Sequence, residues 1–359
     1  IYVEGNLFGR PLYTHVDNKL AATMLINPQD SNVIKLFESY RDVKLDNELL
    51  GKITKEYSLD VSTLFFLEKL YEQTNNRQLQ DYYLSTIETL SGMKLDEEMS
   101  FLQDFYIFFI PAFRYDYNVG NFLQQRQLLD SAKILYEIIK TDPWGLVEDN
   151  AEIVAKRLQE LNKLYRNIII ISASKGSLEA NMALGKILKP DELTSVRAWI
   201  NVCGILKGSF VADYWAAPIR KWWLKCGLFF TGERVDPTEL LKNISYTQRI
   251  QDTLSLTIPK NIYTVNLLAV HLGQKNIKRK NNLTNFNQEQ KKYCIKTITQ
   301  VIPNDGSSPL FDEIANEGNV VIEMGTRHTF EGVDMNTRMI ALLRYIVDYL
   351  KYNNFIREE

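Results

Sequence analysis

Metal-binding and redox side chains are scarce in this sequence. Three cysteines (Cys203, Cys226, Cys294) and three histidines (His15, His271, His328) are spread over 359 residues. No CxxC pair exists, so a disulfide framework and a zinc ribbon are excluded, and the histidines are too few and too scattered for a His-rich metal site. The expectation is a protein with neither a metal nor an organic cofactor. Long apolar runs are missing as well. The longest, such as 167–173, are the size of a strand, far short of the roughly 18 residues a membrane-spanning helix needs. Charge of one sign is not in excess: 42 Lys and Arg against 44 Asp and Glu leave a net charge of −2. A globally basic nucleic-acid binder is therefore not expected, while a local basic patch stays open. The first residue is Ile1 and not methionine, so the expectation leaves the compartment open, with export after loss of an N-terminal segment as one route.

What is present suffices for a full core. Hydrophobic residues make up 45% and charged residues 24%, the balance of an ordinary globular chain. At ~150 residues per domain, the length suggests two domains or one large α/β domain with insertions. Residues 1–100 read as mostly helical. Val61, Leu64, Phe65, Leu67, Leu70 and Tyr71 share one helix face, and Leu79, Tyr83, Ile87 and Leu90 share another.

After residue 101 the pattern changes. Apolar runs at 105–110 (FYIFFI), 133–141, 167–173 (NIIIISA), 195–203, 261–270 and 319–324 have the two-faced apolar character of strands in a buried parallel sheet. Helical stripes lie between them, over Val147 to Leu161, Leu178 to Leu188 and Met335 to Leu350. This alternation predicts a doubly wound, mostly parallel α/β sheet flanked by helices. Two insertions interrupt it. Residues 205–260 are aromatic-rich and hold Trp215, Trp222 and Trp223. Residues 274–293 are basic, with Lys275, Lys278, Arg279, Lys280, Lys291 and Lys292, and read as a solvated loop because no aromatic ladder accompanies the charge. Asn243-Ile-Ser and Asn282-Leu-Thr have the form of glycosylation acceptors.

The chemistry concentrates at Ile168-Ile-Ile-Ile-Ser172-Ala-Ser174-Lys175-Gly176-Ser177, where an apolar strand runs directly into an amphipathic helix. A nucleophile elbow has this shape, with small residues two positions either side of the nucleophile. Ser172 and Gly176 satisfy that steric demand around Ser174, although the usual motif has glycine where Ser172 stands. The backbone N–H of Lys175, at the helix N-terminus, would point at a developing oxyanion. The simpler alternative is an ordinary turn with Ser174 or Ser177 as a helix cap.

A serine nucleophile requires a base. His328 lies between the last strand and the last helix, and His271, at the end of another strand, competes with it. Asp305, before Gly306, is the acid chosen to orient the imidazole, with Asp312 as the alternative. The second oxyanion donor is assigned to the N–H of Phe113, after Ile110-Pro111-Ala112.

From about residue 101 to the end, the chain resembles the α/β-hydrolase superfamily. Ser174-Lys175-Gly176 looks like the S-K-G elbow of its lipase and esterase branch. Trp144-Gly-Leu-Val-Glu-Asp-Asn150 and Asn201-Val-Cys-Gly204-Ile-Leu-Lys-Gly208-Ser are similar to the same branch. The resemblance implies a serine carboxyl-ester hydrolase of 101–359 with a helical cap at 205–260. Ser174, Asp305 and His328 would form its triad, and Trp215, Trp222 and Trp223 would line an acyl pocket. Its partner would be a small-molecule ester, one with an acyl chain included, with no nucleic acid and with membrane contact not favoured. A catalytically silent binding protein on the same scaffold, or an acyltransferase or thioesterase using the same triad, remain the alternatives.

Overall fold

The computed structural model describes residues 1–114, 121–230, 235–252, 256–273, 301–315 and 318–356. The basic insertion and the second glycosylation motif lie outside them. The chain forms two compact units, one of Ile1–Gln80, Leu268–Phe311 and Ile322–Glu331, the other of Asp81–Leu267, Asp312–Val321 and Gly332–Glu359.

The first unit opens on a hairpin where the sequence pattern predicts helix. β1 (Tyr2–Leu7) pairs antiparallel with β2 (Arg10–His15), and Leu7 faces Arg10 across the turn. The two turn residues, Phe8 and Gly9, both have positive φ, at 53° and 73°. That is the conformation a two-residue hairpin turn with right-handed strand twist demands. Four helices follow, α1 (Lys19–Ile26), α2 (Ser31–Ser39), α3 (Asn47–Glu56) and α4 (Leu59–Tyr71), and then α5 (Thr74–Leu90), which runs on into the second unit. Asn18, Asp30, Asp46 and Ser58 cap the first four, each side chain accepting a first-turn backbone N–H. α4 is buried on nearly every side and is the core helix of the unit. Its buried Asp60 accepts hydrogen bonds from the backbone N–H groups of Asp17, at 2.7 Å, and Gly273, at 3.0 Å. Gln80 brackets the backbone of Ile322, donating to its carbonyl at 3.0 Å and accepting from its N–H at 2.8 Å.

The second unit carries most of the sheet. In chain order come β3 (Tyr106–Ile110), α6 (Leu123–Ala132), β4 (Tyr136–Ile138), α7 (Val147–Leu164), β5 (Ile168–Ala173), α8 (Lys175–Met182) and β6 (Val196–Val202). Then follow α9 (Phe210–Ala216), α10 (Pro218–Phe230), α11 (Thr238–Asn243), α12 (Tyr246–Asp252), β7 (Tyr263–Val270), β8 (Asn319–Met324) and α13 (Met335–Tyr352). The strand expected over 133–141 is reduced to the three residues of β4. The six strands lie in the order β4-β3-β5-β6-β7-β8. The pairs β4/β3, β3/β5, β5/β6 and β6/β7 are parallel. β5 is fully buried, and Ile169, Ile170 and Ile171 stand in register with Ala198, Trp199 and Ile200 of β6. The run of four isoleucines, Ile168 to Ile171, suits a central strand packed on both faces.

Within residues 205–260 the described secondary structure is helical: α9 to α12 all fall there. This insertion is tied to the start of α7. Arg249, itself buried, pairs with Glu148, and Asn243 accepts from the Val147 N–H at 2.9 Å while donating to Glu148 at 2.7 Å. Burial would raise the Glu148 carboxyl, but Arg249 and Asn243 hold it down to about 2. The amide nitrogen that a glycan at Asn243 would occupy is thus engaged. No described helix is long and apolar enough to cross a membrane.

Candidate active site

Ser174 stands at the junction of β5 and α8. Its backbone has φ 51° and ψ −118°, a conformation L-residues seldom adopt. Three hydrogen bonds over-determine it: its N–H donates to the Val202 carbonyl at 3.1 Å, and its carbonyl accepts from Ser177 at 3.1 Å and Ile205 at 3.3 Å. From residue 168 to 184 every residue but Ser174 is buried. The turn therefore thrusts one hydroxyl-bearing residue out of an otherwise closed strand-to-helix segment.

The small residues around it have distinct tasks. A Cβ at Gly176 would lie 2.3 Å from the Pro111 carbonyl oxygen and 2.7 Å from that of Ile110. Glycine here is a requirement of close approach, and it brings the elbow against the end of β3, where Ala112 and Phe113 follow. Ser172 is more than a small residue. Its Oγ accepts from Trp199 Nε1 at 2.7 Å and shares a hydrogen bond with Ser177 Oγ at 2.8 Å, all three groups being buried. The sequence reading missed Trp199 and Ser177 in this part, because a sheet neighbour across β5 and β6 leaves no local signal.

Lys175, whose amide the sequence assigns to an oxyanion, is the first residue of α8. Its side chain is buried and ion-paired with buried Glu179, one turn further along α8. Glu179 also accepts from Asn150 Nδ2 at 2.7 Å. Burial pushes the Glu179 carboxyl up, and Lys175 and Asn150 oppose that push. The Lys175–Glu179 spacing of four was open to sequence reading; the role of Asn150 was not. The Phe113 ring packs edge-to-face on Trp144, with ring centres 5.0 Å apart.

In the first unit, Asp305 and His328 are paired: the carboxylate Oδ2 and imidazole Nδ1 share a hydrogen bond, and the His328 N–H donates to the Asp305 carbonyl at 3.1 Å. Asp305 is buried, and its other oxygen accepts from the Ser307 and Ser308 N–H groups at 2.7 and 2.9 Å. Burial works to raise the Asp305 carboxyl, but His328 and those two N–H groups hold it below its ordinary value. For His328, burial works to lower the imidazole, and the adjacent carboxylate overrides it and raises the pKa.

The alternatives from the sequence have other partners. Asp312 forms an ion pair with Lys207 at 2.9 Å. His271 is pressed down by burial and by the nearby Arg327 guanidinium. His15 lies on β2 against Tyr2. Trp215 is half-buried with its ring edge-to-face on Tyr214. Trp222 and Trp223 pack against each other on α10 and are 58% and 63% exposed.

No family model matches the chain, nor does any curated protein. Solved structures do. The metagenomic carboxyl esterase MGS0156 is 17% identical and superposes with a TM-score of 0.51, covering 69% of this chain and 77% of its own. The mature form of Bacillus licheniformis lipase BlEst2 is 15% identical with a TM-score of 0.48, over 67% and 92% of the two chains. The RedJ thioesterase of Streptomyces coelicolor is 14% identical with a TM-score of 0.37, over 67% and 88%. Identities this low speak to architecture only. The mostly parallel six-stranded sheet flanked by helices, together with its likeness to the carboxyl esterase, makes this an α/β-hydrolase fold.

Proposed function

We propose that the chain is a serine hydrolase of carboxyl esters, acting through an acyl-enzyme intermediate. Ser174 is the nucleophile. His328 takes its proton and returns it to the leaving alcohol, and Asp305 fixes the imidazole tautomer and stabilises the imidazolium. The N–H groups of Lys175 and Phe113 receive the oxyanion. Water, activated by the same histidine, then releases the acid. No step requires a metal or an organic cofactor. The substrate is a small-molecule ester with an acyl chain. The helices at 205–260 are its cap, with Trp215, Trp222 and Trp223 as the apolar side chains that meet that chain.

The observation that carries this reading is the Ser174 backbone. Strain of this kind costs on the order of 1–3 kcal/mol and persists where the surroundings impose it, most often at functional sites. A plain helix cap would need no such conformation, and the Ser174 side chain makes no capping hydrogen bond to α8. The buried Asp305–His328 pair supplies the second support, an imidazole already oriented by a carboxylate.

Labelling with a fluorophosphonate probe and mapping the modified peptide tests the proposal. Attachment at Ser174 is expected, lost in His328→Ala, with Ser174→Ala lowering kcat on short-chain esters by several orders of magnitude. Wild-type activity in Ser174→Ala would overturn the assignment.

A further inference from the structure

A buried charge pair sits directly behind the proposed nucleophile, and ordinary helix energetics do not account for it. Lys175 and Glu179 are 2% and 1% exposed. A cation in the first turn of α8 opposes the helix dipole. Lysine preceding glutamate at i,i+4 is also the weaker order of the two. Burying both ions carries a desolvation cost that well-packed apolar residues would avoid, so a buried pair is poor evidence of added stability.

Its connections suggest another purpose. Glu179 holds Asn150 Nδ2, and the Asn150 amide clasps the Asp142 backbone from both sides, donating to its carbonyl at 2.8 Å and accepting from its N–H at 3.2 Å. The Asp142 carboxylate accepts from the Trp144 N–H at 2.9 Å, and the Trp144 ring packs on Phe113. An unbroken path thus runs from Lys175 through Glu179, Asn150, Asp142 and Trp144 to Phe113. Its two ends are the residues whose amides are assigned to the oxyanion.

We propose that Lys175, Glu179 and Asn150 are positioning residues that set the spacing between the two oxyanion donors, the amides of Lys175 and Phe113. This rests on the serine-hydrolase reading. The side chains touch no substrate; they act through the amides. Loss of the network should leave substrate binding intact and weaken the interaction that exists only in the tetrahedral state.

The test compares Lys175→Met, Glu179→Gln and Asn150→Leu with the double variant Lys175→Met/Glu179→Leu, which replaces both charges by apolar groups. Steady-state kinetics on a short-chain ester are read beside thermal melting and inhibition by a trifluoromethyl ketone, which forms a tetrahedral adduct with a serine. Each variant is expected to lose roughly tenfold to a hundredfold in kcat, as small misplacements at a reacting centre do, with KM within about twofold. Affinity for the ketone should fall in parallel. The double variant should melt at or above the wild-type temperature and still turn over slowly. Recovery of wild-type kcat in a stable double variant, or wild-type kcat in Asn150→Leu, would overturn the inference and reduce the network to a structural role. Should the charge variants not fold, Asn150→Leu, which spares the ion pair, decides alone. Failure of the underlying reading looks different, because then Ser174→Ala itself retains activity.

Discussion

Asp305 and His328 illustrate how two residues can each reverse what burial would do to the other. Buried alone, the carboxyl would rise and the imidazole would fall; together, the carboxyl is lowered and the imidazole raised. In the proposed mechanism His328 must be neutral to accept the serine proton, so the acid limb of kcat/KM should lie above the ordinary imidazole value of 6.5. In Asp305→Asn burial acts unopposed. The limb should shift to lower pH while turnover drops by roughly four orders of magnitude. Stability follows the same pair. A depressed carboxyl stabilises the fold above its unfolded value and loses that contribution as pH falls through the folded one. A raised imidazole stabilises below its unfolded value and loses that contribution as pH rises through the folded one. The stability difference between wild type and Asp305→Asn should therefore peak between pH 3.8 and 6.5, the two ordinary values. Urea denaturation across pH measures it.

Among elements, the seam joining β5, β6 and α8 carries a more surprising expectation. Ser172 stands where the usual elbow motif has glycine, yet Ser172→Gly should harm the protein. It would strip the buried Trp199 N–H and Ser177 hydroxyl of their shared partner, at a cost of about 1–3 kcal/mol. A lowered urea midpoint with an unchanged slope would report this. The episode also marks what the sequence made legible. Size was readable at Ser172, because a tight turn admits only small residues; the hydrogen bond was not, because Trp199 reaches it across the sheet. β3, β5, β6, β7 and β8 were readable because strands buried on both faces carry apolar residues at successive as well as alternate positions. The β1–β2 hairpin was missed, since only Val3 and Leu7 are buried in β1 and Pro11 disguises the second strand. Gly9 was the signal that could have found it.

For the whole molecule, the two units are not the two halves of the chain. A linear reading divides the protein near residue 100, whereas the first unit draws on 1–80 and on stretches beyond 268. Asp60 depends on Gly273, Gln80 on Ile322, and the Phe66 ring on Phe311 at 6.5 Å. Residues 1–80 expressed alone should accordingly show no cooperative thermal transition by circular dichroism, despite four whole helices and the start of a fifth; a sharp transition would show that they fold independently. Such partners, two hundred or more residues apart, are invisible to periodicity, which reports only on neighbours.

That discontinuity has a bearing on synthesis. The Ser174 turn, and the Val202 and Ile205 groups that hold it, are synthesised well before the end of the chain. The histidine proposed to activate it arrives only with the last strand, many seconds later at the roughly 5–20 residues per second of translation. On that reading the growing chain holds an unassisted serine from the moment Ser174 is made until His328 follows, and reactivity comes last.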